Sequence, residues 1–185
     1  MTDLLIYKQN DLPEKWLYQI LSFQRIVWSE GFENENLYRD WITTPEDNPI
    51  SILLTHGNLL ISHVQVVSRV MKHLGTEFTL YGLTGVLTYP SFRKRGFGTQ
   101  IVQEGMKYID QQVDRDIVLY SCEDENSSFY QKCGWIFNDI PVLEGDASNP
   151  KVTKSRVAMQ FVSDKAQKYK NEFLSSPLFF GDELW

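Results

Sequence analysis

The chain has 185 residues, 42% of them hydrophobic and 14% aromatic, with 18 basic and 24 acidic side chains for a net charge of −6. That length fits one domain with a substantial core, and the apolar content excludes a disordered chain. The acidic balance excludes a nucleic-acid partner, which would need a basic face.

Residues 4–8 read as a first strand, and Asp3 and Lys8 flank too short an apolar run for a signal peptide or a membrane span. Asp11-Leu12-Pro13 opens a helix, proline being tolerated in a first turn. Trp16, Ile20, Phe23 and Val27 give that helix its buried face, and Gly31 ends it. Residues 33–41 are a second, shorter helix or loop. Residues 50–55 and 59–70 are strands joined by His56-Gly57-Asn58, whose Gly-Asn suits a tight hairpin. Residues 72–76 then turn into a long strand, 78–88, which Pro90 stops.

The end of that strand, Gly82-Leu83-Thr84-Gly85-Val86-Leu87-Thr88, leads into a basic glycine loop, Arg93-Lys94-Arg95-Gly96-Phe97-Gly98. Beyond it, Val102, Met106, Ile109 and Val113 recur at four, three and four residues, the apolar stripe of an amphipathic helix. The order is strand, basic loop, helix. Two glycines two apart let backbone N–H groups turn inward with no Cβ in the way. Such groups form an anion nest, and the helix start adds its positive dipole end. Arginine and lysine supply charge and bidentate donors, so the loop suits a pyrophosphate. It is neither the mononucleotide P-loop nor the three-glycine dinucleotide fingerprint. Alone, it also suits an ordinary strand-to-helix turn.

A second motif follows. Residues 117–121 (Ile-Val-Leu-Tyr-Ser) form an apolar run of buried-strand length, succeeded by Asn126, Phe129-Tyr130 and Cys133-Gly134-Trp135. The short helix between ends at Gly134, placed for a left-handed cap. Residues 135–138 and 157–162 can complete the sheet, with 141–153 a surface loop. The tail carries Phe173, Phe179, Phe180 and Trp185, with Tyr169 just ahead, and is apolar enough to pack back on the domain. Cys122 and Cys133, eleven apart, read as reduced thiols of a cytoplasmic protein. His56, His63 and His73 read as surface or packing residues without metal-ligand spacing, so no metal is expected.

Together the loop and the second motif resemble the GNAT superfamily of acetyl-CoA-dependent N-acetyltransferases. The resemblance implies an α/β (α+β) fold: a mixed, mostly antiparallel central sheet of six to seven strands with about four helices, residues 1–185 forming a single domain. It implies that Arg93, Lys94, Arg95, Gly96, Phe97 and Gly98 cradle the CoA pyrophosphate, with Val86, Leu87, Thr88 and Asn126 also binding the cofactor. A backbone N–H of Val86 or Leu87 would meet the acetyl oxyanion, and Tyr130 would protonate the departing thiolate.

Four further features are similar to the aminoglycoside 2′-N-acetyltransferases: Asp40-Trp41, Gly85-Val86, Phe92-Arg93 and the tail Gly181-Asp182-Glu183-Leu184-Trp185. That likeness implies substrate contacts at Glu35, Thr84, Gly85, Ser121, Asp182 and Trp185, the last through its carboxylate. Two positions depart from the pattern. Thr84 stands where that family has the glutamate that takes the amine proton through water, and Lys154 falls near a family aspartate. An alkyl amine with a pKa near ~10 must lose a proton to attack, which leaves Glu35, Asp182 and Trp185 as acidic candidates. The implied activity is acetyl transfer to a small cationic amine, an aminoglycoside being one example, by direct attack on the thioester. The alternatives are an acetyl-CoA-binding module with little catalysis, or an enzyme with a peptide or polyamine acceptor. A homodimer stays open, and neither a membrane nor nucleic acid is expected as a partner.

Overall fold

The computed structural model describes residues 2–181 and 184–185. Nine strands and four helices alternate along them: β1 (Asp3–Lys8), α1 (Glu14–Val27), β2 (Ile50–His56), β3 (Leu59–His73), β4 (Thr76–Thr88), α2 (Phe97–Asp110), β5 (Ile117–Cys122), α3 (Asp124–Lys132), β6 (Val142–Glu144), β7 (Lys151–Val152), β8 (Arg156–Phe161), α4 (Asp164–Ser175) and β9 (Leu178–Gly181). Six strands form one sheet in the order β1-β2-β3-β4-β5-β8, and β7-β6-β9 form a second. β1–β2, β2–β3 and β5–β8 pair antiparallel, and β4–β5 pair parallel. This is the mixed, mainly antiparallel α/β architecture expected from the motifs, with its six-stranded sheet and four helices. The chain packs as two compact units, Met1–Val67 with Leu83–Tyr108, and Ser68–Gly82 with Ile109–Trp185.

In the first unit, α1 buries Trp16, Ile20 and Leu21 against Phe32, Leu53 and Leu60. The helix stops at Val27, short of Gly31, because the chain tightens there into a 3-10 turn, Ser29–Phe32. Val27 is therefore exposed rather than part of the buried face. On α2, Ile101, Val102 and Ile109 are buried. Gly105 has no side chain because a Cβ there would lie 2.8 Å from Leu83 Cδ2. Val113, read as the last apolar position of this helix, lies beyond its end at Asp110 and is fully exposed. The periodicity continued by chance past a turn, closed by Gln112 N–H donating to Ile109 O (3.0 Å).

In the second unit, Phe78, Leu80, Leu119, Met159 and Phe173 head a core shared by the sheet and α4. Asp116 joins three elements: its carboxylate accepts from Thr79 N (2.9 Å) and Ser163 Oγ (2.6 Å) and pairs with Lys165 Nζ (2.5 Å). Residues 135–138 are not a strand. The Asn138 side chain instead bonds the Met159 backbone, donating to its carbonyl (2.7 Å) and accepting from its N–H (3.1 Å), and so occupies the edge of β8. Residues 141–153 are not simply a loop either. Val142 is fully buried and pairs with Leu178 as the tail adds β9 alongside β6. The aromatic tail packs back as its composition predicts, with Phe173 and Phe180 buried.

Candidate active site

Within the first unit, β4 contains a break in its regular backbone. Gly85 has φ +60°, a left-handed conformation that distorts the strand locally, as at a bulge, and that glycine adopts without a Cβ penalty. Its carbonyl receives a bond from His63 Nδ1 (3.1 Å), and Gln24 Nε2 lies 3.4 Å from where a Cβ would sit. Past the bulge the strand is held by Ser62 Oγ, which donates to Leu87 O (2.6 Å) and bonds Thr88 Oγ1 (2.8 Å). Leu87 is buried and Val86 half-buried, so a ligand there would meet backbone more than side chain.

The basic loop follows. Arg93 Nε donates to Thr88 O (3.1 Å), tying the loop back to the strand end. Lys94 and Gly96 have positive φ, +61° and +84°, and nothing lies within 4 Å of the Cβ position on Gly96. Arg93, Lys94, Arg95 and Gly96 are exposed, and α2 starts at Phe97 with Gly98 in its first turn. The first N–H groups of a helix have no partner within it, and three cationic side chains surround this start. Open space, free N–H geometry and positive charge fit a pyrophosphate. Arg95 also stacks over Phe92, 5.6 Å from the ring centroid. Phe97 meets Phe92 edge-on at 6.2 Å, so its ring supports the loop.

Within the second unit, Tyr130 lies near the end of α3 and is buried against Tyr120, with ring centroids 4.4 Å apart. Trp135 also packs against Tyr120, with ring centroids 4.7 Å apart. The two tyrosine side chains also share a hydrogen bond. Burial pushes Tyr130 up to about 12 despite that bond, and drives Tyr120 higher still. Tyr130 is thus a neutral phenol at physiological pH. Asn126 is exposed on the first turn of the same helix. Cys122, pushed up to about 11 by burial, stays a thiol.

Two of the expected substrate residues meet each other. The main-chain oxygen of Trp185 accepts from both Ser121 N (3.1 Å) and Ser121 Oγ. The Trp185 ring stands edge-on to Phe180 at 4.9 Å. Gly82 permits this, since a Cβ there would fall 2.5 Å from both Leu119 O and Trp185 Cε3. Thr84 and Gly85 are half-buried on β4, and Glu35 is exposed on the 3-10 turn Asn34–Tyr38. Asp182 lies outside the described residues. Among the described residues, no three or more His, Cys, Asp or Glu side chains group to hold a metal, and no helix is long and apolar enough to cross a membrane. Sequence reading missed the polar partners of the bulge, His63 and Gln24. The histidine carries no motif, and its significance comes from a residue twenty-two positions away.

The sequence model of the acetyltransferase (GNAT) domain matches residues 12–137, which run from the approach to α1 past α3 and contain both the basic loop and Tyr130. The chain belongs to this family, and it is an N-acetyltransferase. No curated protein matches it in sequence. Solved structures share the fold at low identity. An acyl-CoA N-acyltransferase from Pseudomonas aeruginosa is 13% identical, over 86% of this chain and 99% of that one, with a TM-score of 0.60. An aminoglycoside 6′-N-acetyltransferase complexed with coenzyme A is 12% identical, over 85% and 96%, with a TM-score of 0.59. A glucosamine-6-phosphate N-acetyltransferase from Arabidopsis thaliana is 19% identical, over 72% and 92%, with a TM-score of 0.52.

Proposed function

We propose that residues 1–185 act as one domain that transfers the acetyl group of acetyl-CoA to the nitrogen of a small cationic amine, by direct attack of the amine on the thioester. The observation that carries this reading is Tyr130: a buried, neutral phenol packed against Tyr120 near the end of α3, able to donate a hydrogen bond to a departing thiolate. In this reading acetyl-CoA supplies an activated acetyl group. Arg93, Lys94, Arg95 and the N–H groups of Gly96, Phe97 and Gly98 hold its pyrophosphate. The backbone of Val86, Leu87 and Thr88, beside the Gly85 bulge, lies along the acyl arm, and Asn126 adds a polar contact from α3. A backbone N–H there stabilises negative charge developing on the acetyl oxygen.

The acceptor meets Thr84, Gly85, Ser121 and Trp185, with Glu35 and Asp182 supplying negative charge. Ser121 holds one Trp185 main-chain oxygen, which positions the Trp185 carboxylate that lines the acceptor site in this reading. A net charge of −6 supports a cationic amine. The likeness of Asp40-Trp41, Phe92-Arg93 and the tail to the aminoglycoside 2′-N-acetyltransferases supports an aminoglycoside in particular. The free thiols Cys122 and Cys133 support a cytoplasmic enzyme. The test is thiol release from acetyl-CoA over a panel of aminoglycosides, linear polyamines, amino-sugar phosphates and peptides with free N-termini. Turnover is expected with the polycationic small amines. Turnover confined to peptides or phosphorylated amino sugars would replace the acceptor class.

A further inference from the structure

The core of the first unit contains a line of hydrogen bonds that no packing role requires. Thr43 Oγ1 donates to Gln65 Oε1 (2.6 Å), and Gln65 Nε2 donates to Ser51 Oγ (3.1 Å). Ser51 Oγ meets His63 Nε2 (3.4 Å), and His63 Nδ1 meets the Gly85 carbonyl oxygen (3.1 Å). Ser51, His63 and Gln65 are all fully buried. Buried polar groups cost free energy unless each is satisfied, and an aliphatic residue at position 63 would avoid that cost.

The chemistry of the groups fixes the direction of the line. A carbonyl oxygen only accepts, so His63 Nδ1 carries the proton. Its Nε2 is then the acceptor and takes the Ser51 hydroxyl proton, while the Ser51 oxygen takes one from Gln65. Every donor points along the line towards Gly85. Burial pulls the imidazole down to about 4, so the ring stays neutral and keeps this tautomer at physiological pH. Gln24 Nε2 also lies 3.4 Å from the Cβ position of Gly85, and Arg39 NH2 holds that amide through Gln24 Oε1 (3.1 Å). Gln24 and the His63 ring thus both lie against Gly85.

The peptide that follows Gly85 is planar and trans, so its carbonyl and the N–H of Val86 lie in one plane and point opposite ways. A bond that holds the carbonyl therefore aims the N–H. Drawing electron density onto the carbonyl oxygen also makes the N–H a stronger donor. We infer that His63 is a positioning residue, fixing and polarising the Gly85–Val86 peptide so that the Val86 N–H serves as donor to the acetyl oxygen of a bound thioester. The inference rests on the acetyl-CoA reading above and assigns the donor role to Val86 rather than Leu87.

The test reads the carbonyl stretching band of bound acetyl-CoA by infrared difference spectroscopy, together with kcat and the acetyl-CoA KM. It compares wild type, His63→Leu and His63→Asn. Leucine fills the volume without a donor, and the asparagine amide nitrogen stands near the position of Nδ1. Wild type is expected to lower the band relative to free acetyl-CoA. His63→Leu should lose most of that lowering and at least tenfold in kcat, with the KM within twofold, and His63→Asn should recover both. Equal behaviour of the two variants, or an unchanged band and kcat in His63→Leu, would overturn the inference. Should His63→Leu fail to fold, Ser51→Ala removes the proton donated to Nε2 and should lose part of the lowering; an unchanged band there would be equally decisive. Failure of wild type to bind acetyl-CoA would sink the functional reading itself, whereas binding without any band shift would sink only the role of His63.

Discussion

Replacing Tyr130 by phenylalanine tests what a buried phenol can do for a leaving thiolate. With Tyr130 at about 12 and an ordinary thiol at about 8.5, complete proton transfer would run about 3.5 pKa units, or about 5 kcal/mol, uphill. The phenol therefore acts chiefly as a charge-assisted hydrogen-bond donor as the sulfur becomes negative, an interaction that contributes about 1.5–3 kcal/mol. The expected loss in kcat is roughly 10- to 150-fold, at the lower end of what a positioned general acid supplies. Phenylalanine keeps the ring contact with Tyr120 at 4.4 Å, so the packing of α3 and the thermal shift caused by CoA should survive. The assay is steady-state thiol release, paired with CoA-induced stabilisation. An unchanged kcat would remove Tyr130 from the chemistry. Equal losses of turnover and CoA stabilisation would make it a packing residue.

Replacing Arg93 and Arg95 together by alanine should weaken CoA binding at least tenfold and flatten its salt dependence, measured by calorimetry at two ionic strengths; unchanged affinity would take the loop out of the site. Gly82→Ala should cost about 1–3 kcal/mol in urea unfolding, because the new methyl group meets Leu119 O and the Trp185 ring at 2.5 Å. Adding Trp185→Ala should return part of that cost, and strictly additive effects would refute the close approach. Stability should also fall on acidification in two stages. His63 is depressed from 6.5 to about 4, so its contribution is complete above pH 6.5 and is lost as the pH falls towards 4, about 3 kcal/mol in all. Asp116 resists desolvation through its bonds to Lys165, Ser163 and Thr79, which hold it below its ordinary value, so its contribution disappears further down, through the carboxylate range. Unfolding free energies of wild type and His63→Asn from pH 7 down to pH 2 separate the stages; parallel curves between pH 7 and pH 4 would contradict the buried neutral histidine.

The parts of the site that follow one another in sequence could be read directly. Gly85, the basic loop and the start of α2 fall within fifteen residues, and their chemistry is carried by residue types at fixed spacing. The place of Tyr130 near the end of a short helix was legible for the same reason, through Phe129-Tyr130 and Gly134. The tail was legible through composition alone, since Phe173 and Phe180 have no reason to be solvated. Features set by distant partners were not legible. Val113 continued an apolar period that the turn at Gln112 had already ended. Residues 135–138 have strand-like composition, yet the Asn138 side chain supplies the pairing that a backbone strand would have made. Val142 became a strand residue because Leu178, thirty-six positions later, pairs with it. His63 is the sharpest case. Nothing around it in sequence marks it, and its importance rests on Ser51 and Gly85 converging on one ring.

The central claim is acetyl transfer from acetyl-CoA to an amine nitrogen without an acetylated protein along the way. Turnover with isotope-labelled acetyl-CoA and the best amine of the panel, followed by mass spectrometry of both the amine and the intact chain, tests it directly. Direct transfer should yield labelled N-acetyl amine mole for mole with free thiol, while the mass of the chain stays constant throughout. Thiol released without labelled amine, or label accumulating on the chain before it reaches the amine, would contradict it.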